Sequence, residues 1–327
     1  MDERFLFIDS DTVKRYLAPR DVIDIVKNLW ADWKSGAVIE GEHAFLPSGI
    51  NENNQFLHIP ACLPKLGILG FKWINCYMEP APGYPFSHGN IVVFNDIVTG
   101  SPKALVSAAD ITAMRTAGGH GVAAARYLAG REVKTLSVIG NGSQAKYGIE
   151  GFLCEFPEIE TVKIYCRRES AYAQLEKQFG GRVDLQYVRD CSKIGQGADV
   201  ILVATSSPEV LLRYEYLEKG TTVIALDGFI DVDPVLSYKA DKWFVGRRKT
   251  DELEIVDSGD MSHGVKLDKQ KIYGEVADVI SGAIPGRESE EEIIVYTHMG
   301  SGAYDIACAY HVYQKALAQK AGMELRL

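Results

Sequence analysis

A lysine, an arginine and a glycine turn carry most of the chemistry in this sequence. Lys72 stands in an otherwise apolar run, Leu69 to Ile74. Withdrawal from water disfavours a charged amine, so its pKa is expected to fall to where it can give or take a proton near neutrality. The plainer alternative is a lysine whose head group snorkels to water. Arg115 follows small apolar residues on a helical stretch, and its planar fork suits a carboxylate; the alternative is an interdomain ion pair.

The stretch Thr135-Leu136-Ser137-Val138-Ile139-Gly140-Asn141-Gly142-Ser143-Gln144-Ala145 runs from apolar residues into a glycine turn and then a helix-compatible segment, Gln144 to Cys154. It matches G-x-G-x-x-A. The first glycine allows the tight turn, the second lets backbone N–H groups approach a pyrophosphate, and Ala145 keeps helix and strand close. The pyrophosphate is expected at the positive end of the helix. Alone, such a pattern is weak. Here a strand precedes it, a helix follows, and a second strand, Thr161 to Tyr165, falls where a βαβ unit needs one. Gly140, Asn141, Gly142, Ser143 and Gln144 are therefore candidate dinucleotide ligands. An NAD-selective enzyme usually places Asp or Glu at the end of that second strand. This chain has Cys166-Arg167-Arg168, with no carboxylate before Glu169. Arg167 and Arg168 suit a 2′-phosphate, which favours NADP over NAD; a solvated charge pair at a helix start is the bland reading.

Other reactive residues point nowhere in particular. His88, His120, His298 and His311 share no metal-like spacing and read as core or surface histidines. Cys62, Cys76, Cys154, Cys166, Cys191 and Cys308 include no C-x-x-C pair, so neither a disulfide framework nor a zinc site is expected. No metal and no Ser/His/Asp or Cys/His arrangement emerges. The net charge of -9 argues against nucleic-acid binding. No apolar run approaches the ~20 residues of a membrane span. The start, Met1-Asp2-Glu3-Arg4, lacks a secretory apolar region, so a cytoplasmic protein is expected.

These residues need elements to hold them, and 327 residues suggest two domains. Asp21 to Lys34 reads as a helix with Val22, Ile25, Val26, Leu29 and Trp33 on one face. Strand-like runs follow at Gln55–Ile59, Gly67–Asn75 and Gly89–Asn95, the last two separated by the proline loop Glu79 to Pro85. Ala108 to Leu128 reads as a helix interrupted near Gly118-Gly119. Further apolar runs at Val200–Ala204, Thr222–Leu226 and Trp243–Val245 alternate with helical segments, which indicates a parallel sheet. A final helix, Asp305 to Ala321, presents Ile306, Ala309, Tyr310 and Tyr313 for packing on the first domain. The fold expected is α/β: a Rossmann-type doubly wound parallel sheet at 116–304, inserted in an α+β substrate and dimerisation domain at 1–115 plus 305–327. The active site is expected in the cleft between the two.

Several segments together resemble the ornithine cyclodeaminase/mu-crystallin family, in its order and at compatible spacings over nearly the whole chain. They are Gly70-Phe71-Lys72-Trp73-Ile74, Ala113-Met114-Arg115-Thr116-Ala117, Ile139-Gly140-Asn141-Gly142-Ser143-Gln144, Gly286-Arg287-Glu288 with Glu291-Glu292-Ile293-Ile294, and Met299-Gly300 with Asp305. The family includes ornithine and lysine cyclodeaminases, alanine dehydrogenases and ketimine reductases. Ala283 to Tyr310 and Ile230-Asp231-Val232 are similar to its subgroup that oxidatively releases 2,3-diaminopropionate from an amino-acid conjugate. The resemblance implies a homodimer, puts the catalytic lysine on Lys72 and gives Arg115 the substrate carboxylate. It also implies that Thr116 binds cofactor phosphates, that Thr205 and Ser206 line the ribose or nicotinamide side, and that Met299-Gly300 close over the nicotinamide.

Two departures bear on function. Many members carry an Asp that handles the substrate amine where this chain places Phe229; Asp227 and Asp231 are the candidates to replace it. Where the family usually presents an arginine to the substrate carboxylate, this chain reads Val38-Ile39-Glu40-Gly41-Glu42-His43. Glu42 would attract a cation there, so a substrate with an additional amine is expected. The loss of the Asp tilts the reading towards an NAD(P)-dependent oxidoreductase acting on the C–N bond of an amino acid or imine. The alternatives are a cyclodeaminase using NAD catalytically and a noncatalytic small-molecule-binding protein.

Overall fold

A computed structural model describes residues 4–50, 54–77, 81–83 and 89–326. His88 and much of the proline loop lie outside these residues. The chain divides into two compact units, Met1–Arg115 with Ser301–Leu327, and Thr116–Gly300.

In the first unit alternation decides which side chains are covered. Along strand Ile68–Tyr77, Ile68, Gly70 and Lys72 are buried while Leu69, Phe71 and Trp73 keep exposure. Cross-strand neighbours follow the same phase, with Ile59 and Val92 flanking Lys72. The mixed sheet runs in space Met323–Arg326, Arg4–Ile8, Pro102–Ser107, Ile91–Asp96, Ile68–Tyr77, Asn54–Leu63 and Ile39–Glu40, with Ala44–Pro47 also on Asn54–Leu63. Helix Gly302–Ala318 covers the buried face, where Phe94 meets the edges of Tyr310 and Tyr313 at 5.9 and 5.4 Å between ring centres. This helix begins earlier than Asp305 because Ser301 caps it, its hydroxyl accepting from the Ala303 N–H at 3.1 Å. Helix Pro19–Lys34 buries Val22, Ile23, Val26, Leu29, Trp30 and Trp33, and Trp30 donates from its ring nitrogen to the Tyr304 hydroxyl at 2.8 Å.

In the second unit eight strands form a wholly parallel sheet in the order Asp184–Val188, Thr161–Tyr165, Thr135–Ile139, Val200–Val203, Thr222–Ala225, Ile294–Thr297, Lys242–Val245 and Ile272–Glu275. Successive strands add on one side of Thr135–Ile139 and then on the other, making it the switch point of a doubly wound sheet. The helix expected to break near Gly118-Gly119 does not break. Ala109–Ala113 is α-helical, Met114–Gly121 widens into a π-helix and Val122–Leu128 is α-helical again. The glycines serve packing instead. A Cβ on Gly118 would meet the Tyr147 carbonyl oxygen at 2.7 Å, and one on Gly151 would meet the Gly118 carbonyl oxygen at 2.3 Å. Helix Ser143–Glu155 therefore lies directly on this backbone. Among the described residues no helix is long and apolar enough to cross a membrane, and no cluster of His, Cys, Asp or Glu could hold a metal.

Candidate active site

In the first unit Lys72 is fully buried, and its Nζ lies 2.9 Å from Oδ2 of the equally buried Asp305. The pair is ionic and lies within hydrogen-bonding distance. Asp305 reaches it because the helix starts hard against the sheet: a Cβ on Gly302 would meet the Ile59 carbonyl oxygen at 2.3 Å. Arg115 Nε donates to Asp305 Oδ1 at 3.2 Å, and Thr112 Oγ1 donates to the same oxygen at 3.3 Å. With Nε engaged, the Arg115 terminal nitrogens remain for a second anion.

Burial pushes the Lys72 pKa down and the Arg115 charge pushes it further, while Asp305 pulls back; the result is about 8. Burial alone would raise the Asp305 carboxyl, but Arg115 and Lys72 outweigh it and leave it below its ordinary value. The trio is thus two cations sharing one carboxylate, with an amine that exchanges a proton near neutrality.

The second unit supplies a different surface. Gly140 has φ +124°, and a Cβ there would strike the Ala204 carbonyl oxygen at 2.2 Å, so only glycine fits the turn. Gly142 is the N-cap of helix Ser143–Glu155, with no side-chain cap and open space where its Cβ would point. Gly142 and Ser143 are exposed, Asn141 partly so. Uncapped amides beside an unobstructed glycine fit a dinucleotide pyrophosphate. Gln144 turns inward, its Oε1 accepting from the Ala117 N–H at 3.1 Å and so steadying the residue after Thr116.

Thr205 Oγ1 donates to Asp231 Oδ2 at 2.8 Å and accepts from the Ser207 N–H at 3.0 Å; Ser206 is exposed. Asp231 keeps 2% of its surface. Burial lifts its pKa to about 7 against the Thr205 hydrogen bond, with the Asp227 charge adding to the rise. Asp231 is buried and accepts from the Thr205 hydroxyl, whereas Asp227 is exposed. Phe229 is fully buried in the core of the parallel sheet, edge-on to Trp243 at 5.3 Å, where the sequence had suggested a place beside the substrate. Arg167 and Arg168 are exposed at the end of strand Thr161–Tyr165, and neither forms an ion pair among the described residues. Met299 donates its N–H to Asp251 at 2.8 Å, ahead of Gly300 at φ +83°. Glu42 is exposed between strands Ile39–Glu40 and Ala44–Pro47.

The residue that sequence reasoning left without a role is Asp305. Its signal was a carboxylate directly before the apolar run Ile306 to Ala309.

The sequence matches the ornithine cyclodeaminase/mu-crystallin family model over residues 6–320. A Δ1-pyrroline-2-carboxylate reductase of Bacillus cereus is 31% identical over 282 residues, covering 83% of this chain and 85% of that protein. An N-((2S)-2-amino-2-carboxyethyl)-L-glutamate dehydrogenase of Staphylococcus aureus is 29% identical over 270 residues, 80% of this chain and 78% of that one. The solved structure of an archaeal alanine dehydrogenase dimer with bound NAD superposes with a TM-score of 0.86 at 25% identity, covering 98% of this chain and 99% of that one. With a parallel sheet wound about the Gly140 turn and Lys72, Arg115 and Asp305 gathered in the other unit, this chain belongs to the ornithine cyclodeaminase/mu-crystallin family.

Proposed function

We propose that this protein interconverts a 2-imino acid and the corresponding 2-amino acid, with Lys72 moving the proton and Arg115 holding the substrate carboxylate. The class is that of the relatives: an NAD(P)-dependent oxidoreductase acting on the C–N bond of an amino acid or imine. The observation that carries the finer reading is the buried trio Lys72–Asp305–Arg115. Asp305 holds both cations in place, Arg115 offers its free nitrogens to a carboxylate, and Lys72 Nζ gives a proton to the imine nitrogen or takes one from the amine. A nicotinamide dinucleotide, when bound, supplies or removes the hydride at the substrate α-carbon. The residues that would hold it are Gly140 to Ser143, Thr116, Thr205 and Ser206, with Met299 and Gly300 at the nicotinamide end. Gln144 and Asp231 support these from behind.

We infer a preference for NADP. Arg167 and Arg168 stand open at the strand end, and the first carboxylate after them, Glu169, is engaged by Arg189 at 2.9 Å. We also infer a dimer through the sheet face of the first unit that carries Leu69, Phe71 and Trp73, an apolar surface that suits a second copy.

The test is to supply purified protein with Δ1-pyrroline-2-carboxylate, pyruvate plus ammonia, and N-((2S)-2-amino-2-carboxyethyl)-L-glutamate, each with NADP(H) and NAD(H). Stoichiometric cofactor turnover with one of them is expected, with NADP(H) binding more tightly. Ammonia released from ornithine with no net cofactor change would establish the cyclodeaminase instead. Tighter binding of NAD(H) would overturn the role of Arg167 and Arg168.

A further inference from the structure

Asp251 closes the short helix Arg248–Asp251 in the second unit and is fully buried, yet nothing above uses it chemically. Its Oδ2 accepts from the N–H groups of Gly246 at 2.8 Å and Arg247 at 3.0 Å, and its Oδ1 accepts from the N–H of Met299 at 2.8 Å. Gly246 and Arg247 follow strand Lys242–Val245, and Met299 comes just beyond strand Ile294–Thr297. These strands are parallel neighbours, with Val245 beside Thr297. A single carboxylate thus ties the carboxyl ends of two adjacent strands, the edge along which open α/β sheets take their ligands.

The junction is tight. A Cβ on Gly246 would meet the His298 Cβ at 2.9 Å, and Gly300 turns with positive φ immediately after the anchored amide. A buried carboxylate is unfavourable unless donors compensate for lost water. Here burial still lifts the pKa to about 7 against the three amides. An apolar side chain would fill the space without that penalty, so the acid is explained by the three amides it organises.

We propose that Asp251 is a positioning residue that sets the Met299–Gly300 turn and with it the nicotinamide end of the dinucleotide site. This rests on the dinucleotide reading given above. An asparagine has the same shape but one acceptor oxygen. It can hold Gly246 and Arg247, or Met299, but not all three.

The experiment compares wild type with Asp251→Asn in two ways. Amide exchange without cofactor should show Gly246, Arg247 and Met299 protected together in wild type, with one of the two segments exchanging about tenfold faster or more in the variant. Binding should show ADP-ribose, which lacks nicotinamide, held within about twofold, while NADP(H) or NAD(H), whichever wild type prefers, weakens about tenfold. A Met299 amide that exchanges like an exposed one in wild type overturns the proposal, and this reading stands even if the variant does not fold. Equal weakening of ADP-ribose and the whole dinucleotide also overturns it, because that is general damage. If wild type binds neither ADP-ribose nor a dinucleotide, the underlying reading fails and the proposal with it, a result distinct from either of the others.

Discussion

Lys72 shows how one side chain can hold two opposed demands. Its pKa of about 8 lies below its value of 10.5 in an unfolded chain. Between the two the unfolded state binds more protons, so stability rises with pH across that window; below about pH 8 the burial penalty of the charge is felt in full. Catalysis has its own sign. Imine reduction needs the protonated amine and should fall as pH rises through about 8, whereas amino-acid oxidation needs the free amine and should rise. Lys72→Met should remove that limb and lower turnover by roughly 100-fold or more, with dinucleotide affinity near wild type. Turnover above a tenth of wild type, or an unchanged pH limb, would make Lys72 structural. At this scale the sequence was legible where a charge interrupts an apolar pattern, as at Lys72. It was silent on pairing: nothing local links Lys72 to Asp305, or Asp251 to Met299, since folding brings those partners together across distant segments. Phe229 shows the same gap: its sequence neighbours Gly228 and Ile230 say nothing of the sheet core that surrounds it in space.

Elements were legible where an apolar run is bounded by turn residues. Val200–Val203 and Thr222–Ala225 are buried on both faces, as central parallel strands are, while Thr161–Tyr165 alternates buried with half-buried positions. Asp184–Val188 and Met323–Arg326 escaped notice because half-exposed, polar-rich edge strands owe their form to hydrogen bonds from a neighbour. Glycines divide into two kinds that sequence does not distinguish. Gly151 lies against the backbone of Gly118, and Gly142 faces open space. Gly151→Ala should therefore destabilise the fold by about 1–3 kcal/mol and lower the melting temperature by several degrees. Gly142→Ala should leave the melting temperature near wild type while weakening dinucleotide binding. Equal thermal shifts in the two variants would show that the helix crossing is less tight than the geometry requires.

At the scale of the whole molecule, the sheet face of the first unit that carries Leu69, Phe71 and Trp73 has no part in the proposed chemistry. Phe56 lies on Trp73 at 5.1 Å between ring centres and His58 on Phe71 at 4.7 Å, a preformed aromatic layer. Sedimentation should find wild type as a dimer, and Trp73→Glu should shift it towards monomer; a monomeric wild type would end the proposal for this face. The division of the first unit into Met1–Arg115 and Ser301–Leu327 carries a consequence in time. As the chain is made, the strand bearing Lys72 emerges early, but the helix that covers it and brings Asp305 emerges only after the entire parallel sheet. The second unit is continuous in sequence and can close while the first still waits with an apolar sheet face uncovered. The environment that tunes Lys72 is therefore among the last things synthesis completes. A nascent chain can have its Gly140 turn in place before Lys72 has met Asp305.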